Sequence, residues 1–467
     1  MPKKRPSPRK SPRRKRSAGP PTAVYAGEFG RAQAERLLWR AGFGPKPGQA
    51  DELAKLGVRG AVEWLLHPPS QALSGPAPTN GKGSGLAPMH MWGHDHLWWF
   101  DRMVRTESPL IERMTLIWHD WFATSRSGVP TPKLMLDQNQ MLREHSMGTF
   151  RELLIRVTKD PAMLIWLSGS VNSAQAPNEN YARELMELFS LGTRAGYTER
   201  DVREQARALT GWRNDWASTG PKNFRFDKRM HDPGRKRVFG RKGAYDWRGA
   251  VQLCLDHPAH PGFAVRKLWG YFNPTPPDAA TERALARSYA ESGTELRPLL
   301  QAILLHPSLY TGARMIKPPV VYTAGLLRTL NRGVDSDSWV WLNQTAGQLL
   351  FYPPNVAGWD EQRWLDTATW RARWQAAATA LAPWEVKDDA AYLAPSGGAE
   401  TPEQAVDRAL AFWGSPPITD ATRQQLLAFA VECAQAADKK WKQTQYPRVR
   451  QNALRQLIAT SPDLQTS

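Results

Sequence analysis

The chain has 467 residues, 41% of them hydrophobic, and a formal charge of +18 from 62 Lys and Arg against 44 Asp and Glu. That length accommodates two or three domains or one large helical one, with ample chain for a buried core. Two cysteines, Cys254 and Cys433, lie far apart with no C-x-x-C partner, which argues against a disulfide framework and a cysteine-based zinc site; no apolar run is long enough to cross a membrane.

Residues 1–16, "MPKKRPSPRKSPRRKR", hold nine basic residues and no acid, and so half of the excess charge. Pro- and Ser-interrupted charge of one sign buries no apolar surface, so residues 1–26 are expected to form a disordered basic tail. Residues 1–16 are then either a solubilising extension or a contact for a polyanion or anionic surface. Arg13 and Arg14 form a twin-arginine pair, but "SAGPPTAVYAGEF" follows in place of an apolar stretch. No signal peptide is recognisable, and a cytoplasmic location is expected.

From residue 27 the pattern is helical. "EFGRAQAERLLWRAGFGPKPG" sets Ala32, Leu37, Leu38 and Ala41 on one stripe before its Gly and Pro break it. A Gly/Pro/Ser-rich loop near 70–88 follows. "MHMWGHDH" groups His90, His94 and His96 with Asp95; in a helix His90 and His94 share a face that a divalent metal would bridge, while close histidines also occur beside turns. "SPLIERMTLIWHDWFATS" opens on Ser108 and Pro109 as cap and first-turn proline and puts Glu112, Thr115 and His119 on one stripe. The next two helices are "TPKLMLDQNQMLREHSMG", stopping at Gly148, and "TFRELLIRVTKDP", stopping at Pro161.

"PNENYARELMELFSLG" is the most polar helix. Asn178 reads as its N-cap and Gly192 as its stop, and Thr198 with Asp201 makes a capping box for the helix after it. Capping leaves a stripe unexplained: Asn180, Arg183, Glu184 and Glu187 fall within about 100 degrees of arc. Either they form a solvated face with a Glu179 to Arg183 pair, or Glu184 and Glu187 are acid-base or cation-binding carboxylates beside an anion-binding Arg183. Residues near 213–247 are rich in Gly, Arg and aromatics and read as a long loop with at most one small hairpin. Helices resume to about residue 383, and "LAPSGGAETPEQ" links to a small helical extension over 396–467. The class is all-α, a large multi-helix assembly in which a main domain spans 27–383.

Trp is over-used, with 21 residues, suited to helix packing and to stacking platforms alike. No Walker loop, G-x-S-x-G or H-E-x-x-H motif is present.

"AERLLWRAGFGP", "RMTLIWHDWFATS", "QNQMLREHSMGTFRELL", "NENYARELMELFSLG", "YTERDVREQARALTGW", "AVRKLWGYF" and "LLFYPPNVAGW" together resemble the bacterial family known as domain of unknown function 1800, through to "IATSPDLQ". The resemblance implies a large helical bacterial protein. Many members are exported with a twin-arginine signal, from which this chain departs, and a sulfatase- or phosphatase-like partner protein is implied by analogy. It also marks His119, Arg143, Glu144, His145, Asn178, Glu179, Asn180, Arg183, Glu184, Glu187, His231 and Asp232 as parts of recurring motifs, hence a buried polar network or a ligand site. Two functions follow as expectations. One is an enzyme, for example for metal-assisted hydrolysis, with Glu184, Glu187, His119 and His145 catalytic and Asn178, Asn180, Arg183, Arg143, His231 and Asp232 binding; no metal ligands are assigned. The other is a non-catalytic scaffold that holds a polysaccharide, polyanion or partner protein through its Trp-rich surface and basic tail.

Overall fold

The computed structural model describes residues 22–386, 400–437 and 440–467. The basic tail expected at 1–26 lies almost wholly outside the described residues. The described chain is a multi-helix assembly with two small two-stranded sheets, so the all-α expectation holds with one amendment. The stretch near 213–247 forms two antiparallel hairpins, Trp212–Ala217 with Gly220–Phe226 and Lys236–Val238 with Arg241–Gly243. The second hairpin, beyond the one expected, has strands of only three residues each, too short for alternation to show. The second hairpin is tied to the helix Glu199–Ala208 by backbone N–H bonds from Arg237 to Glu204 and from Phe239 to Asp201, each 2.8 Å.

Two apolar clusters form the interior. One gathers Leu37, Leu38, Trp118, Phe150, Leu185, Val251 and Leu300; the other gathers Phe43, Trp99, Val320, Phe351, Ala376, Leu410 and Ile458. Helices Pro402–Phe412, Asp420–Ala436 and Lys440–Ala459 thus pack in the same cluster as Pro319–Thr329 and Thr367–Leu381.

The helix Pro109–Trp121 touches both clusters, with Leu110, Met114, Ile117 and Trp118 in the first and Leu116 in the second. Every residue of it except Asp120 is buried. An apolar helix takes that central place because all its faces need covering. Its few polar residues, Glu112, Arg113, Thr115, His119 and Asp120, are carried inward with it.

The helix after Pro177 begins one residue later than the cap pattern indicates: Glu179 is the N-cap, and Asn178 instead accepts the Asn180 N–H at 2.9 Å. After Glu184 the α-helix gives way to a π-helical turn over Leu185–Ser190, ended by Gly192 at φ +84°. The last carbonyls of a helix have no intrahelical partners, and here side chains take them. Lys267 donates to Leu188 O (2.9 Å), the Trp121 indole to Phe189 O (3.1 Å), and His260 Nδ1 meets Ser190 O (2.9 Å). The Thr198 and Asp201 capping box forms as expected.

Candidate functional site

The residues singled out in the sequence fall into distinct groups, of which those of Arg143 and His119 meet through Trp99, whose indole donates to Glu112 at 3.3 Å and packs on His119. Arg183 forms ion pairs with Glu179 (3.1 Å), Glu187 (3.8 Å) and Glu199 (2.7 Å), on a surface where about a third of its side chain meets solvent. Glu184 is half-buried, and its pKa is raised by that burial and by Glu187, against Arg183. Asn180 is exposed and Asn178 half-buried.

Arg143 is engaged elsewhere. Its guanidinium holds Glu112 through two bonds of 2.6 and 3.0 Å and Asn139 through a third of 2.6 Å, while Arg102 adds a second cation to Glu112 at 3.1 Å. His145 caps the end of the same helix, half-buried, and Glu144 is exposed. Asp232 accepts from Arg207 at 2.7 Å, and His231 Nδ1 lies 3.1 Å from the Thr210 hydroxyl.

His119 is buried between the rings of Trp99, Phe351 and Trp359, whose centroids stand 5.3–5.6 Å away, and its Nε2 has no partner. Burial pushes its pKa down to about 3. No hydrogen bond or ion pair among the described residues joins His119 or His145 to the Arg183 stripe.

The three-histidine cluster does not assemble. The helix starts at His94 after Gly93 at φ +80°, so His90 sits exposed in the preceding turn. His94 Nδ1 accepts from Ala87 N–H at 2.9 Å, and His96, fully buried, accepts from Leu350 N–H at 3.0 Å. Among the described residues no three His, Cys, Asp or Glu side chains are placed to share a metal ion.

A small polar pocket lies on the face of the central helix that carries Arg113 and Asp120, seven residues and about two turns apart. Asp120 Oδ2 accepts from the Tyr271 hydroxyl at 2.7 Å, and Oδ1 accepts from Trp359 N–H at 2.8 Å. The second bond needs Gly358: at φ +94° any β-carbon there would collide with the Asp120 carboxylate, and the left-handed conformation itself favours glycine. Burial raises the Asp120 pKa against those two bonds and the charges of Lys267 and Arg113. Burial and the Asp120 charge hold Tyr271 protonated. Lys267 lies over the Trp121 ring, 4.6 Å from its centroid, and burial brings its pKa down to about 8.

Two further groups complete the pocket. Glu361 opens a short 3-10 turn whose residues are exposed overall, but its carboxyl lies along the pocket wall, where local desolvation and Asp120 push its pKa up to about 7, against Arg113. Arg113 is 3% exposed, no hydrogen bond or ion pair holds its guanidinium, and its Nε is a buried donor with no partner. Trp364 Nε1, also on the wall, is another such donor. The enclosed space is ≈ 20 Å³, room for about one water-sized group. A buried cation without a hydrogen bond is expensive to keep, and an oxyanion is the ligand that satisfies it.

Arg113, Asp120, Tyr271 and Glu361 were not singled out in the sequence. The available signal was the pair of polar residues at i and i+7 inside "RMTLIWHDW". Three segments that carry the family resemblance, around Arg113–Asp120, Lys267–Tyr271 and Leu349–Trp359, meet at this one carboxylate. Comparison with curated proteins and with solved structures gives no match. The model of the family described as "Protein of unknown function (DUF1800)" matches residues 36–466, which is nearly the whole chain, and the chain belongs to that family.

Proposed function

We propose that the pocket between Arg113, Asp120, Tyr271 and Glu361 is an acid–base catalytic site that takes an oxyanion-bearing substrate. The observation that carries this reading is the buried, hydrogen-bond-free guanidinium of Arg113 facing two carboxyl groups with raised pKa values. Arg113 holds the anionic group, a carboxylate or a phosphate. Glu361, with a pKa near 7, is divided between its acid and base forms at neutral pH, which suits a proton donor or acceptor. Asp120, fixed from two sides by Tyr271 and Trp359, is the second proton-handling group. Proton transfer beside one oxygen of the bound anion fits this equipment, since a donor and a base line a space for one water-sized group.

The test is binding of sulfate, an oxyanion that does not titrate near neutral pH, followed as a rise in melting temperature. The wild-type protein is expected to bind more tightly as pH falls from 8 to 6, because protonation of Glu361 removes a negative charge beside the anion. Arg113→Met should abolish the rise, and Glu361→Gln should keep it but remove its pH dependence. An unchanged sulfate response in an Arg113→Met variant with a native circular dichroism spectrum overturns the reading.

A further inference from the structure

The segment Trp359–Trp364 is a partition with different residues on its two sides. Glu361 and Trp364 face the acid pocket, while Trp359, Asp360 and Arg363 line an open groove of ≈ 470 Å³ that Gln344, Thr345 and Tyr352 complete. The groove continues into an aromatic surface. Trp341 lies one helical turn before Gln344 and Thr345 on Ser338–Thr345, and Trp92 lies against it with ring centroids 4.6 Å apart at 38°. Both indoles are about half exposed, 51% and 57%, whereas ten other tryptophans are buried in the core. Gln344 and Thr345, at the end of the helix that carries Trp341, are also exposed.

We propose that this groove and its aromatic extension bind a strand of neutral polysaccharide. Exposed indole and phenol rings present flat apolar faces to the C–H faces of sugar rings while their N–H and O–H groups stay available. Gln344, Thr345, Asp360 and Arg363 supply the mixture of donors and acceptors that hydroxyl groups demand. The exposed rings of Trp341 and Trp92, with half-buried Tyr352 at the groove, span more than one sugar needs, which favours a chain over a monosaccharide. Charge argues against a nucleic acid: Asp360 and Asp366 line the groove with Arg363 alone to oppose them, and Asp337 lies on the helix side, so phosphates meet net negative charge. The proposal rests on residues outside the acid pocket and stands independently of it.

The experiment is retention of the full chain on insoluble cellulose, chitin, xylan and mannan, with DNA–cellulose as a control, for the wild type and a Trp92→Ala/Trp341→Ala variant. Both rings are exposed, so the variant is expected to fold, and a native circular dichroism spectrum verifies that. Retention on at least one polysaccharide, weakened at least about tenfold by the double substitution, is the expected result. Retention on none of the four, equal retention of the variant, or retention on DNA alone overturns the proposal. A lost sulfate response with intact polysaccharide retention sinks only the acid-pocket reading.

Discussion

Two polar clusters in this protein use the same residue types and reach opposite electrostatic outcomes. On the surface stripe, Arg183 sits among Glu179, Glu187 and Glu199 with ion pairs already made, and those carboxylates raise its pKa further. In the central pocket, Arg113 meets Asp120 and Glu361 with no ion pair or hydrogen bond, and burial moves it the other way, down to about 10. Water explains the contrast: at the surface it screens the charges and lets side chains swing into pairs, while inside, geometry is fixed by packing and each desolvated charge keeps its unmet demand. A saturated cluster has little left to offer a ligand, and an unsaturated one is prepared for it.

The largest way to break this comparison is to remove Asp120. Asp120→Ala leaves the Tyr271 hydroxyl and the Trp359 N–H without their acceptor, each a buried donor that costs about 1–3 kcal/mol. A loss of about 2–5 kcal/mol in unfolding free energy is expected in urea titrations. Gly358→Ala should fall in the same range, since it brings a β-carbon against Asp120 at φ +94°. A loss below about 1 kcal/mol in both shows that this carboxylate does not hold the Tyr271 and Trp359 segments together.

The next effect is a pH slope. Glu361 has its pKa raised from 4.5 to about 7. Its contribution to stability is therefore complete below about pH 4.5 and is lost as pH rises toward 7. His96 and His119 are pushed down to about 3 and His260 to about 4 by burial. Their contributions are complete above about pH 6.5 and are lost as pH falls toward those values. The two trends oppose each other between pH 5 and 6.5. Glu361→Gln removes the first, so stability of that variant should rise with pH through this window more steeply than in the wild type. Parallel pH profiles for the two proteins would show that Glu361 titrates like a solvated carboxyl.

The sequence makes the helices legible because their apolar stripes and caps are local. The Thr198 box and the first-turn Pro109 need only three or four neighbouring residues to be recognised. The hairpins were less legible, since three-residue strands such as Lys236–Val238 carry almost no period-two signal. For the site the difficulty is of another kind. A stripe such as Arg183, Glu184 and Glu187 is conspicuous because it is polar and continuous, which is what a solvated face also looks like. Arg113 and Asp120 are inconspicuous, single charges inside an apolar helix, and their significance depends on Tyr271, 151 residues away, and on Glu361 further still. Burial of the whole helix by two clusters turns those charges into a pocket, and that is a tertiary fact no local pattern contains.

The smallest effect closes the comparison from the surface side. Arg183→Ala removes the ion pairs to Glu179, Glu187 and Glu199, among the more conspicuous charge contacts of the chain. Exposed pairs are worth about 0–1 kcal/mol each, and a single cation shared by three carboxylates does not multiply that value, since each oxygen is also solvated. The expected loss is about 1 kcal/mol or less, shrinking further at 0.5 M salt as screening replaces the pairs, with the sulfate response at Arg113 unchanged. A loss of several kcal/mol that persists in salt would mean that the stripe is effectively desolvated. The Glu184 and Glu187 carboxylates would then be raised from a surface network to a rival site, and the contrast between the two clusters would collapse.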